Sequence, residues 1–401
     1  MTETLDTLEF TEDKGLSVVS DAGRLAAVPV TRDPAGQWRR ALPGDGVADA
    51  LLDMLAETPG EVTRSRFTVR SWTRRAAAGE RPMGVDQTNE SVIVGDAAVV
   101  KWATHLALGP HPAPRRIGVL RDAGFGGMPA PWGLVTWAQP DGAETLVANV
   151  DGYLPGAVDG WTWAVDLITE AARDRDPDPF TAATTDVGKL VAELHAALSG
   201  TATVASGKDA ARWCDAAYDA LETVCALPDS DSVTCVRARR GELEAVLNGL
   251  GGLAGTTIIE GHGDLHVGQV LRSGDGFVVT DFDGNPVLPA RERMLPIPAA
   301  LDVAGMAQSL AHAAIVARKY TSLDPTAVAA VDGAGQAAFL DAYASRLTDL
   351  GHADLYDAGP LHAFRTQQVL REIVYAARHL PRWMYVPDAA LPALLDQRTD
   401  T

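Results

Sequence analysis

Cysteine is scarce in this 401-residue chain: there are three, Cys214, Cys225 and Cys235, and none is in a CxxC spacing. A disulfide framework and a cysteine-rich zinc site are therefore excluded, and reduced thiols are expected. Basic residues are also in short supply, with 34 Lys and Arg against 53 Asp and Glu and a formal charge of −19. Such a field repels a polyphosphate backbone, so no nucleic-acid partner is expected. No run of about 18 uninterrupted apolar residues is present to cross a bilayer, and no membrane partner is expected. The acidic start MTETLDTLEFTEDKG lacks the basic and apolar parts of a secretory signal, which points to the cytoplasm. Internal repeats, low-complexity linkers and a glycine-rich GxGxxG loop are missing too.

What remains is 46 % hydrophobic and 22 % charged, the balance of a globular protein. At roughly 150 residues per domain, two lobes are expected. The first eighty residues mix β-like pieces (LSVVS, RFTVRSW) with one stretch in which Val47, Leu51, Leu52 and Leu55 recur at helical spacing. SVIVGDAAVVKW reads as a hairpin turning at Gly95-Asp96 and ending at Lys101. PRRIGVLRDAG predicts a helix closed by Gly124, followed by strands in WGLVTWA and ETLVANVDGY, so the small lobe should end near residues 149–153. From Trp161 onward apolar residues fall three and four apart, as in TTDVGKLVAELHAAL, ALDVAGMAQSLAHAAIVA and LHAFRTQQVLREIVYAARHL. His195, on one such apolar face, is expected to pack in the core.

One segment interrupts the helices: TTIIEGHGDLHVGQVLRSGDGFVVTDFDG. Taken singly, HGD and DFDG are equally well read as turns in which an aspartate caps its own backbone. In this order, around a β-hairpin, they can gather Asp264, Gln269 and Asp281 at one end. Phosphoryl transfer needs that set: a carboxylate at the attacking hydroxyl, and hard oxygen ligands for Mg²⁺ on the phosphates. Asp264 is the candidate base and Gln269 with Asp281 the candidate metal ligands, while Asp283 either assists them or makes a turn.

HGDLHVGQVLR followed by VVTDFDGNP resembles the eukaryotic-like small-molecule kinases, the aminoglycoside phosphotransferase group and, more closely, the bacterial maltokinases, which also carry Gln in the metal position. QTNESVIVGDAAVVKW, RERMLP with DVAGM, and HLPRW extend the resemblance over roughly residues 85 to 390. It implies an α+β, bilobal, protein-kinase-like fold, with ATP and Mg²⁺ as cofactors. Residues 1–84 would be an N-terminal cap subdomain of the small lobe, 85–152 its intermediate subdomain with an antiparallel sheet, and 153–401 an α-rich C-lobe. Lys101 would hold the α- and β-phosphates, and the backbone of Asn149, Val150 and Asp151 the adenine. His262 would brace the catalytic loop. The lysine-pairing glutamate of kinases would fall at Arg115, so either another carboxylate substitutes, Glu90 or Asp122 being available, or the lysine is held without an ion pair.

The acceptor is a small-molecule sugar or amino sugar, and a monomer is expected. His266, two residues past the base, would face it, as would Arg293 and Asp302. On the last long helix Glu372, Tyr375 and His379 share adjoining turns, with Arg371 and Arg378 beside them and Trp383 just beyond. Hydrogen bonds and ring stacking from this set suit a polyol, although a solvated face with an aromatic anchor has the same pattern. With Asp302, Glu372 and a negative field, a cationic sugar is favoured. That pattern resembles the actinobacterial glucosamine kinases, which implies transfer to the 6-hydroxyl of glucosamine. Maltose or an aminoglycoside as acceptor, and a pseudokinase that only binds nucleotide, are the alternatives.

Overall fold

The computed structural model describes residues 2–83, 90–274 and 276–396. The expected junction between residues 84 and 85 lies outside them. The chain divides into two units: Met1–Ala157 with Asp281–Leu295, and Val158–Thr280 with Pro296–Thr401.

The first unit carries the strands. A four-stranded antiparallel sheet runs in chain order through β1 (Glu3–Glu9), β2 (Lys14–Asp21), β3 (Arg24–Arg32) and β4 (Trp38–Arg40). Helix α1 (Val47–Glu57) follows; the Glu80 carboxylate accepts from its Ala48 N–H, from its Asp49 N–H at 3.3 Å, and from Gly44 at 2.7 Å and Gly46 at 3.1 Å just ahead of it. The second sheet is built from β5 (Gly60–Arg64), β6 (Phe67–Ser71), β7 (Glu80–Pro82), β8 (Glu90–Val94), β9 (Ala98–Trp102), β10 (Pro131–Ala138) and β11 (Glu144–Gly152), with α2 (Ala113–Asp122) between β9 and β10. Its order is β5-β6-β10-β11-β9-β8-β7. Strands β10, β11 and β9 are buried on both faces, which is why they read as nearly unbroken apolar runs rather than alternating ones. One core joins Leu16 and Val18, Leu51 and Leu55 of α1, and Val100, Trp102, Trp137 and Val150 of the larger sheet. The β8–β9 turn places Gly95 at φ 54° and Asp96 at φ 50°, the left-handed pair that a tight hairpin needs. A side chain at Gly95 would meet the Ala78 carbonyl at 2.8 Å, so glycine is required there twice over.

The second unit is helical. Its elements are α3 (Gly160–Asp174), α4 (Asp178–Ala197), β12 (Thr203–Val204), α5 (Gly207–Cys225), α6 (Asp231–Ala238), α7 (Arg240–Leu247), β13 (Thr257–Ile258), β14 (Val270–Ser273) and β15 (Gly276–Val279). After the short α8 (Ala290–Arg293), which belongs to the first unit, come α9 (Ala299–Tyr320), α10 (Pro325–Asp349), α11 (Leu361–His379) and α12 (Tyr385–Asp396). Among the described residues α9 is long and apolar enough to cross a membrane, and most of it is buried inside the unit. Strands β14 and β15 pair as the expected hairpin. The start of α3 lies against the turn that precedes the hairpin: a Cβ at Gly160 would be 1.6 Å from the Val267 carbonyl oxygen. Gly160→Ala should therefore destabilise the unit by at least ~1–3 kcal/mol, the usual cost of overpacking, read as a lower melting temperature. An unchanged melting curve would show that α3 does not need this approach.

Candidate active site

The catalytic-loop sequence is fixed by buried polar groups. Asp302, in the first turn of α9 and fully buried, accepts the backbone N–H of His262 at 2.7 Å and of Gly263 at 2.8 Å. Its Oδ2 also lies 3.3 Å from His195 Nε2, and His195 Nδ1 lies 2.8 Å from the Tyr343 hydroxyl. Burial opposes the charge on Asp302, but the His195 hydrogen bond, the His195 and His262 rings and the Gly263 N–H outweigh it and hold the carboxyl below its ordinary range. His262 in turn places Nε2 3.0 Å from the Thr280 carbonyl, and its Nδ1 receives the Asp264 N–H at 3.3 Å. Val267 N–H donates to Ser309 Oγ of α9 at 2.8 Å. Asp264, so positioned, is half-buried, and among the described residues no hydrogen bond reaches its carboxylate. Gln269 turns its Nε2 toward His266 Nε2, 3.5 Å away, and its carbonyl accepts the Thr280 N–H at 2.9 Å, which brings the two ends of the hairpin together one residue before Asp281.

Around Asp264 the second unit gathers charge and rings. Arg371 and Glu372 of α11 both interact electrostatically with it. Desolvation, reinforced by the Asp264 charge, pushes Glu372 up to about 7 against the pull of Gln368 and Arg371. Trp161 stands between His266 (centroids 6.3 Å apart) and Trp383 (5.8 Å, edge-on).

The first unit carries a second set. Lys101 of β9 pairs in register with Asn149 of β11. Burial pushes Asp151 up to about 6, with the Lys101 charge and the Asn149 amide, 2.7 Å away, acting in the opposite direction. Asp281 adopts φ 65°, rare for a residue with a side chain and frequent at functional sites. Desolvation and the Asp281 charge raise Asp283, while Lys101, Arg293 and Arg116 draw it down. Arg116 of α2 is buried and donates to the Phe282 carbonyl at 3.0 Å and the Arg293 carbonyl at 2.9 Å, so this helix grips the DFDG segment.

No family model matches the chain. Curated proteins do: it is 44 % identical over 402 residues to a glucosamine kinase of Streptacidiphilus jiangxiensis, covering 98 % of this chain and 91 % of that one. It is 61 % identical over 398 residues to a glucosamine kinase of Mycolicibacterium smegmatis, covering 99 % of both chains. The chain belongs to the glucosamine kinases. A glucosamine kinase solved in complex with glucosamine, ADP and inorganic phosphate superposes with a TM-score of 0.88 at 41 % identity, over 98 % of this chain and 94 % of that one. The α+β, protein-kinase-like fold expected from the motif is the fold of this family, with a sheet-bearing first unit and a helical second.

Several expected site residues of this glucosamine kinase family member sit elsewhere than the sequence implied. Asp302 is no substrate contact: it is fully buried and both carboxylate oxygens are occupied by the loop. Arg293 spends Nε on the Leu288 carbonyl and Nη2 on the Pro286 carbonyl, both at 2.9 Å, and so braces its own segment. Asn149, Val150 and Asp151 are not linker: β11 is paired on both sides through them, their backbone groups belong to the ladder, and the chain leaves the sheet only at Tyr153. Glu90 pairs with Arg40 at 2.6 Å and Asp122 with Arg121 at 2.6 Å, so Asp151 is the carboxylate beside Lys101 instead. Arg115 is exposed, whereas Arg116, the next residue, carries the structural role of α2. Tyr375 and Arg378 lie exposed on α11, Tyr375 against the His379 ring. Trp161 and His312 were missed. A tryptophan in a helix's first turn carries no signal, but the Gln308 and His312 pair, four apart in an apolar helix, did. Because Asp302 holds the loop rather than the sugar, Asp302→Ala should cost ~3–5 kcal/mol of stability and depress turnover of every acceptor alike. A loss confined to amino sugars would make it a substrate contact.

Proposed function

We propose that this chain is an ATP-dependent kinase that transfers the γ-phosphoryl group to the 6-hydroxyl of D-glucosamine. The observation that supports the reading is that a carboxylate, Glu372, is near enough to the candidate base Asp264 to feel its charge, while Trp161 packs between His266, two residues past that base, and Trp383. A sugar resting on those rings would present its ammonium to Glu372 and a hydroxyl to Asp264. The hydroxyl oxygen then attacks the γ-phosphorus, its proton passes to Asp264, the bond to the β-phosphate oxygen breaks, and ADP leaves. Glu372, Trp383 and Trp161 bind the acceptor, and His266 orients its ring face through Trp161. Tyr375 and Arg378, on the same helix, suit a second shell of contacts.

Lys101, steadied by Asp151, would hold the nucleotide phosphates, and the backbone beyond Gly152 the adenine. For the metal, Gln269, Asp281 and Asp283 supply only hard oxygen donors, and the charge of Asp281 disfavours ionisation of Asp283, a cost that a divalent cation removes. That chemistry fits Mg²⁺, which when bound would neutralise the phosphate charge. Residues 1–84 would act as the cap of the small lobe. A monomer in the cytoplasm, where ATP is supplied, belongs to the same reading.

ADP release measured over glucosamine, glucose, maltose and aminoglycosides tests the acceptor: glucosamine should win, and a clear preference for maltose would replace this reading with a maltokinase. Asp264→Asn should lower turnover at least ~10²-fold while nucleotide affinity is retained, since proton acceptance is commonly worth that much. Near-normal turnover would remove Asp264 as base. Glu372→Gln should raise the KM for glucosamine ~10- to 10²-fold, the range for a hydrogen bond to a charged partner. The sign with pH follows: Glu372 ionises as pH rises through about 7, so kcat/KM for glucosamine should climb there, and that limb should vanish in Glu372→Gln. A limb that persists belongs to another group.

A further inference from the structure

In β9 (AVVKW) and β11 (ETLVANVDG) the runs of buried residues are broken by Lys101, Asn149 and Asp151, each half-buried. The register puts these three on one face of the sheet: Asn149 is the direct partner of Lys101, and Asp151, two residues along, is the partner of Val99. An asparagine is a poor strand former, and the sheet itself gives no reason for one at this position, whose other strand neighbour is the fully buried Leu134. Its side chain is used at one end only. Asn149 Nδ2 donates to Asp151 Oδ2 at 2.7 Å, while Asn149 Oδ1 is buried without a hydrogen-bond partner among the described residues. An ionised carboxylate can only accept, so the amide nitrogen must face it and the carbonyl oxygen must turn away. A buried acceptor left unmade costs stability, which a valine or leucine in the same strand would avoid. The amide is therefore kept for what its nitrogen does to Asp151.

The geometry points to Asn149 as a positioning residue for the nucleotide: its amide holds one oxygen of Asp151, and that carboxylate in turn steadies the ammonium of Lys101. The inference rests on the reading of Lys101 as the residue that holds the phosphates. Asp151 is exposed to two opposed influences. Burial pushes it up to about 6, and the Lys101 charge and the Asn149 hydrogen bond draw it back, so the amide helps to keep the carboxylate ionised near neutral pH. The groups facing Asp151 are Lys101 from β9 and Asn149 from its own strand, and Lys101 is also felt by Asp283.

Steady-state kinetics on four variants test this. Lys101→Met should cripple the use of ATP; unchanged use sinks the Lys101 reading and this inference with it. Given that loss, Asn149→Val should raise the KM for ATP ~10-fold and leave the KM for glucosamine within ~2-fold. Asn149→Asp, nearly the same in shape, should raise it at least as far, because two carboxylates at that separation oppose each other's charge. Asp151→Asn should match Asn149→Val, and combining the two should cost little more than either alone, since the amide acts only through that carboxylate. The pH profile adds a separate sign. In the unmutated chain kcat/KM for ATP should fall as pH drops through about 6 and Asp151 takes up a proton. Without the amide the proton binds more readily, so in Asn149→Val the fall should begin at higher pH, and in Asp151→Asn it should be absent. Additive losses in the two variants, an Asn149→Val KM for ATP no higher than the unmutated one, equal rises in KM for ATP and glucosamine, or an acid limb unmoved by Asn149→Val overturns the inference while leaving the Lys101 reading standing.

Discussion

A carboxylate in an apolar core is among the most expensive groups a protein can bury, and Asp302 is tolerable only because every lone pair that matters is used. His195 supplies the largest part of that compensation, and two backbone N–H groups of the catalytic loop, His262 and Gly263, add to it. The dependence is mutual. A loop with consecutive N–H groups pointing inward would be as poorly off without the carboxylate. Each therefore fixes the other, and Tyr343 and His195 fix the carboxylate from behind. The geometry of Asp264 follows two residues downstream, and that of Gln269 follows from the turn whose Val267 N–H is held by Ser309. One helix, α9, thus carries the anchor of the loop (Asp302, Ser309) and a neighbour of Glu372 (His312).

Sequence made the chemistry of the site more legible than its support. HGD, Gln269 and DFDG are local strings of residue types that phosphate and metal chemistry would call for, so they can be recognised without coordinates. The helices of the second unit were readable because their buried faces impose a period. Asp302 was misread because an aspartate in the first turn of a helix fits the helix dipole equally well, and only the fold brings the loop, some forty residues earlier, against it. The end of the strand ETLVANVDGY is ambiguous for a related reason. Its last residues look polar enough for a linker, yet β9 and β10 pair with them to the end. Arg116 rather than Arg115 was not decidable from spacing, since one step along a helix exchanges solvent for core.

The two oxygens of Glu372 are treated unequally. Oε1 accepts from Gln368 at 2.9 Å, whereas Oε2, 3.2 Å from His312 Nδ1, is buried without a hydrogen-bond partner among the described residues. Arg371, the neighbouring cation, is shared between Glu372 and Asp264.

The backbone crosses from one unit to the other three times, after Ala157, after Thr280 and after Leu295. That bears on the order in which the protein is made. The guanidinium of Arg116 is buried in the first unit, but the carbonyls of Phe282 and Arg293 that receive it are synthesised more than 160 residues later. Until then two of the acceptors that hold α2 in the finished protein have not been made. The ribosome must therefore deliver much of the helical unit before the sheet-bearing one is complete, so a truncated N-terminal half lacks more than the residues removed from it.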